Sequence, residues 1–153
     1  MLPMIDLCKK KGISVLVMNP NYNRDPETGF IIPYSQTMTQ HACFVWEKYV
    51  LNSGFQEISV VAHSAGGSCL QAIQTSFRDT FYQQVKKIAY TDSWVISKNQ
   101  LSKSEHLFMF QNAIHYEASH DPLNTRISCN FDTDTCPVVS AGHSRHEYTT
   151  GYA

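Results

Sequence analysis

Residues Ile58-Ser59-Val60-Val61-Ala62-His63-Ser64-Ala65-Gly66-Gly67 decide the fold. The first five are uncharged and rich in β-branched side chains, as in a strand covered on both faces. The run passes directly into small residues and then into a helical pattern with Leu70, Ile73 and Phe77 on one face. Ala62-His63-Ser64-Ala65-Gly66 therefore fits small-x-Ser-x-Gly between a strand and a helix. In that setting a sharp turn lifts the serine Oγ clear of the sheet, where a base can activate an otherwise weak nucleophile. Small residues two before and two after Ser64 let neighbouring backbone pack against the turn. The Ala65 N–H, at the helix start, is the candidate oxyanion donor. The plainer alternative is a glycine-rich turn with a capping serine.

Upstream, residues 2–11 read as the tail of a helix that Gly12 ends. Ile13-Ser14-Val15-Leu16-Val17-Met18 reads as another strand covered on both faces, stopped by Asn19-Pro20-Asn21. Residues 19–34 carry three prolines and read as a surface loop. Ser35 is placed to cap a helix with Met38, Ala42, Val45, Tyr49 and Val50 on one face, closed by Asn52-Ser53-Gly54. Downstream, residues 85–91 predict a strand ending in Asp92-Ser93, residues 101–111 a helix, and residues 112–120 a strand before Asp121-Pro122-Leu123. Residues 124–134 read as a polar loop. Residues 137–141 are short and β-like, and Gly142 opens a polar tail holding His143 and His146.

Strands alternating with helices imply an α/β fold with a parallel sheet. Functional groups in such sheets collect at the carboxyl ends of strands. Here those positions hold Asn19, Ser64, Asp92, Asp121 and His143/His146. A triad in the order Ser, acid, His takes Ser64 as nucleophile. Asp121 is the preferred acid because it follows the strand candidate before Pro122, and Asp92, one strand earlier, is the alternative. Either aspartate also suits a helix N-cap. His143 and His146 both suit the base, whereas His63, His106 and His115 read as packing or surface residues. Neither Cys-x-x-Cys nor His-Glu-x-x-His occurs, so no metal is expected. Gly66-Gly67 lacks the Lys-Ser/Thr ending of a phosphate loop, and no cofactor is expected.

The 153 residues suit a single domain over 1–153. Lys+Arg 12 against Asp+Glu 13 gives a formal charge of -1, with no general attraction to nucleic acid or anionic lipid. The five cysteines, Cys8, Cys43, Cys69, Cys129 and Cys136, form no paired framework and point to a reducing compartment, nucleus or cytoplasm. Most read as buried apolar groups. The longest uncharged apolar run is too short to span a bilayer, so no membrane partner is expected.

Several segments together resemble one family. These are Val17-Met18-Asn19-Pro20-Asn21, Val45-Trp46-Glu47, Val61 through Gly67, Thr91-Asp92-Ser93, Asp121-Pro122-Leu123-Asn124-Thr125 and Val139 through Glu147. In that order they resemble the argonaute-binding (Arb-type) domain family, α/β-hydrolase-like proteins whose animal branch includes a nuclear cotranscriptional regulator linked to Argonaute and alternative splicing. The resemblance implies Ser64 as nucleophile, His146 of Arg145-His146-Glu147 as base, and Asp121 as acid. It makes His143 incidental. The chain departs from the family pattern at Ala65, where an aromatic is usual, and at Asn124 and His143. The resemblance also implies an upstream strand between those matching residues 13–18 and 58–62, the source of the second oxyanion donor. The expectation is thus a partial α/β-hydrolase-like parallel sheet, flanked by helices and missing its N-terminal strands, as a truncated or degenerate gene copy would encode.

Three functional readings follow. A non-catalytic interaction role, with Argonaute and chromatin-associated factors as protein partners, ranks first. A chain that does not fold alone, and so has no autonomous function, ranks close behind. A serine hydrolase using Ser64, His146 and Asp121 ranks third, because losing an oxyanion donor typically costs ~10²–10³ in rate.

Overall fold

The computed structural model describes residues 2–153. Helix α1 (Leu2–Lys10) ends as its sequence predicts. Gly12 takes φ 68, Gly12 N–H donates to Lys9 O and Ile13 N–H to Cys8 O, which together satisfy the last carbonyls. The next stretch corrects the sequence reading. Residues 13–18 form neither helix nor strand, and all but Met18 are exposed. β-branched residues favour a strand only where a neighbour supplies the hydrogen-bond ladder and side-chain contacts, and no described strand does so here.

Helix α2 (Met38–Trp46) is capped by Thr37, whose Oγ1 accepts from Gln40 N–H, rather than by Ser35. Ser35 is buried instead, donating to Tyr22 O and bonded to His41 Nδ1, and it ties the preceding loop down. α2 runs into a π-helical turn over Glu47–Leu51. The buried stripe becomes Ala42, Trp46 and Val50, leaving Tyr49 outside.

Five strands make one sheet in the order β1-β2-β3-β5-β4: β1 Ile58–His63, β2 Val85–Thr91, β3 Ala113–Glu117, β4 Arg126–Ser128 and β5 Val138–Ser140. The β1, β2, β3 and β5 neighbours are parallel. β4 is antiparallel to β5 and lies inside the stretch read as a polar loop. It is a three-residue edge strand with mostly exposed side chains, so no apolar alternation marks it. Asp134 closes this hairpin by accepting from Ser128 Oγ and Asn130 N–H.

Between β1 and β2 lie α3 (Gly66–Ser76) and α4 (Arg78–Gln84), broken at Phe77. Between β2 and β3 lies α5 (Lys103–Asn112), whose start is a reciprocal capping box of Ser102 and Glu105. Strands that advance in one direction through right-handed crossovers place these helices on one face. Val60, Ala62, Ile88, Tyr90 and Ala113 pack there with Leu70, Ile73, Phe81 and Met109. Ser59, Val61 and Lys87 point to the other face and are exposed. The tail is ordered where none was expected: a 3-10 turn, His146–Tyr148, leads to α6 (Thr149–Tyr152), with Thr149 buried. Among the described residues, no helix is long and apolar enough to cross a membrane. Of the cysteines, all free, only Cys69 and Cys136 are buried.

Candidate active site

The carboxyl ends of β1 and β2 bring the candidate residues together. β1 stops at His63, and Ser64 adopts φ 53, a left-handed conformation that costs a side-chain-bearing residue about 1–2 kcal/mol. Bonds on both sides hold it there. Ser64 N–H donates to Thr91 O, while Ser64 O accepts from Ser93 Oγ at 2.7 Å and from the N–H groups of Gly67 and Trp94. The turn's demand for small residues is real but uneven. A Cβ on Gly66 would meet Ala62 Cβ at an ordinary 3.9 Å, whereas one on Gly67 would lie 1.7 Å from Trp94 O. Ala65 opens α3, and its N–H has no hydrogen-bond acceptor among the described residues.

The acid nearest the base is Asp92. His146 Nδ1 donates to Asp92 Oδ2 at 2.5 Å, and Asp92 Oδ1 accepts from Ala118 N–H. An ionised Asp92 selects the tautomer with the proton on Nδ1, leaving Nε2 as the basic nitrogen. Burial pushes the Asp92 carboxyl up, but the bonds from His146 and Ala118 outweigh it and hold the group below the usual aspartate value. Asp92 itself sits at φ 45. Its N–H is tied to Tyr116 O, and the next N–H, of Ser93, donates to His115 Nε2. Burial pushes the His115 imidazole down, toward the neutral form able to accept that bond.

Asp121 lies elsewhere. Its carboxylate accepts from Ser119 Oγ on an exposed turn and bonds to no histidine among the described residues. The structure thus brings together His146 and the alternative acid, Asp92, and leaves Asp121 apart. Position after a strand could not separate the two aspartates, because the path of the chain after β5 decides which one the imidazole meets. His143 accepts from Arg145 N–H and packs against Tyr148 and Tyr152. Arg145 and Glu147 pair with each other beside His146.

Two contributors escaped the sequence reading. His63, whose sequence position suggests only packing or surface exposure, lies with its ring centroid 4.6 Å from that of His146 and its Nδ1 bonded to Thr91 O. Its place immediately before the turn serine was the available signal. His115 supports the Asp92-Ser93 turn and carried no local signal. Among the described residues, no group of His, Cys, Asp or Glu could hold a metal ion. No hydrogen bond joins Ser64 Oγ to His146.

Fold and site together define an α/β protein with a strained serine turn and, in chain order, a serine, an aspartate and a histidine gathered at one sheet edge. The chain belongs to the Arb2 domain family, whose model matches residues 23–123 and so contains Ser64 and Asp92 but stops short of His146. A cotranscriptional regulator ARB2A homolog of Xenopus tropicalis is 30% identical over 112 residues, 72% of this chain and 26% of that protein. Human cotranscriptional regulator ARB2A is 29% identical over the same shares. The Dictyostelium discoideum homolog is 25% identical, covering 97% of this chain and 47% of that protein. The match thus spans about a quarter of the frog and human proteins. No solved structure matches.

Proposed function

We propose that this chain is a non-catalytic interaction module of the Arb2 family, acting in cotranscriptional regulation in the nucleus through protein partners that include Argonaute and chromatin-associated factors. The observation that carries this reading is the incomplete catalytic geometry. Among the described residues the Ser64 hydroxyl has no hydrogen bond to His146, whose Nδ1 is engaged by Asp92. Binding needs an ordered surface but no such completion. Affinity capture from nuclear extract should enrich Argonaute over a scrambled-sequence control, and equal recovery in both would count against the reading.

A second reading rests on the Asp92–His146 hydrogen bond. An α/β-hydrolase-like serine hydrolase acting on an ester or acyl group would use Ser64 as nucleophile, His146 as general base and Asp92 to orient it. Asp121 is the other candidate acid. A fluorophosphonate probe tests this chemistry: labelling that disappears in Ser64→Ala supports turnover, and an unlabelled wild type leaves the interaction role alone.

A further inference from the structure

Two adjacent residues at the end of β2 hold two tail residues that lie four apart. Asp92 bonds to His146, which opens the 3-10 turn, and Thr91 Oγ1 bonds to Thr150 Oγ1 on α6 at 2.7 Å. Residues four apart share one face of a helical segment, so His146 and Thr150 can reach one surface together. Neighbours along a strand point to opposite faces, and Thr91 and Asp92 would ordinarily not face one partner. The left-handed Asp92, at φ 45, breaks that alternation and lets both side chains meet the tail.

The imidazole gains from the second attachment. The His146 side chain is 47% exposed, and an exposed ion-pair contact orders a side chain weakly by itself. Thr149 Oγ1 donates to His146 O, taking the acceptor that the Thr150 hydroxyl would otherwise find one turn back. Thr150 turns to Thr91 instead, across 59 residues of sequence. Thr91 is buried, and its carbonyl accepts from both Ser64 N–H and His63 Nδ1–H. The tail is thus fastened to the residue that also fixes the serine turn.

We propose that Thr91 and Thr150 are positioning residues for the candidate site: the bond between their hydroxyls seats the His146 turn on Asp92 and thereby fixes the His146 tautomer. This role rests on the Asp92–His146 pair of the hydrolase reading, not on turnover.

Long-range proton–nitrogen correlation spectra of the histidine rings test it on the intact chain, in alkaline buffer where an ordinary imidazole is neutral. Wild-type His146, assigned by its loss in His146→Gln, should carry its proton on Nδ1. Thr150→Val should lower the ratio of Nδ1–H to Nε2–H about five-fold, as loss of one ordinary side-chain hydrogen bond does, while Thr150→Ser keeps the wild-type ratio. Thr91→Val should match Thr150→Val, and the double variant should fall no further than either. His63, bonded to a backbone carbonyl, should keep its Nδ1–H tautomer in Thr150→Val. A His63 that changes with His146 marks general loosening and overturns the role. So does a His146 indifferent to Thr150→Val, or equally released by Thr150→Ser. A wild type whose His146 carries its proton on Nε2 removes the Asp92–His146 pair itself, and the positioning role with it. Thr150 lies outside the packed core, so its two variants decide even where Thr91→Val disturbs β2.

Discussion

Ser64 and Gly67 show how a few atoms set the candidate site. Ser64 is held left-handed by bonds to Thr91, Ser93 and Trp94, and this is possible only because Gly67 lets Trp94 O approach. A methyl at 67 has no room, since the atom it meets is backbone rather than a flexible side-chain end. Gly67→Ala should therefore destabilise the fold by about 1–3 kcal/mol in urea titration, while Gly66→Ala, whose Cβ meets only Ala62, should cost far less. At the same scale, Asp92 and Asp121 make opposite predictions. If Ser64 reacts with a fluorophosphonate, Asp92→Asn should slow labelling by roughly 10²–10⁴ by disturbing the tautomer of His146, and Asp121→Asn should leave it unchanged. A drop confined to Asp121→Asn would reassign the acid.

Helix α5 shows an element secured at its start by one carboxylate that serves two partners. Glu105 accepts from Ser102 N–H in the capping box and holds Arg78 of α4 through both carboxylate oxygens. The Arg78 bond is the largest influence on it, and the carboxyl falls from 4.5 to about 2. A carboxyl lowered on folding stabilises the native state above its unfolded value, and that stability is lost as pH falls through the folded one. The wild type should therefore lose stability between pH 4.5 and about 2, and Glu105→Gln should flatten that part of the profile. Near neutral pH the same change should cost about 1–2 kcal/mol, modest because Arg78 is half exposed and screened. Capping at α5 was readable from Ser102-x-x-Glu105, whereas the Arg78 partner, 27 residues away, was not. The cap of α2 falls on Thr37 rather than Ser35 for a related reason: both hydroxyl residues precede the helix start, and burial of Ser35 with the preceding loop leaves Thr37 as the cap.

Across the whole molecule, β2 is the spine of the core, between β1 and β3 and under the helices. Tyr90 lies on it fully buried, its hydroxyl without a partner among the described residues. Tyr90→Phe should leave stability unchanged or raise it by about 1 kcal/mol, since the phenyl ring keeps the packing and the unpaired polar atom is gone. Unfolding should be cooperative. Trp46 is 3% exposed and Trp94 70%, so the fluorescence change reports Trp46 leaving the core, and its midpoint should coincide with that of far-UV circular dichroism. Separated midpoints would mean that the helical layer and the sheet part company. The strand–turn–helix around Ser64, β2, β3, β5 and the end of α1 at Gly12 were settled by the sequence itself, because periodicity, small-residue spacing and cap chemistry act over a few neighbouring residues. The solvent-exposed path of residues 13–17, the edge strand β4, the ordered tail and the meeting of His146 with Asp92 were decided by tertiary structure alone. Each depends on which backbone or side chain arrives from a distant part of the chain, and local propensity carries no record of that arrival.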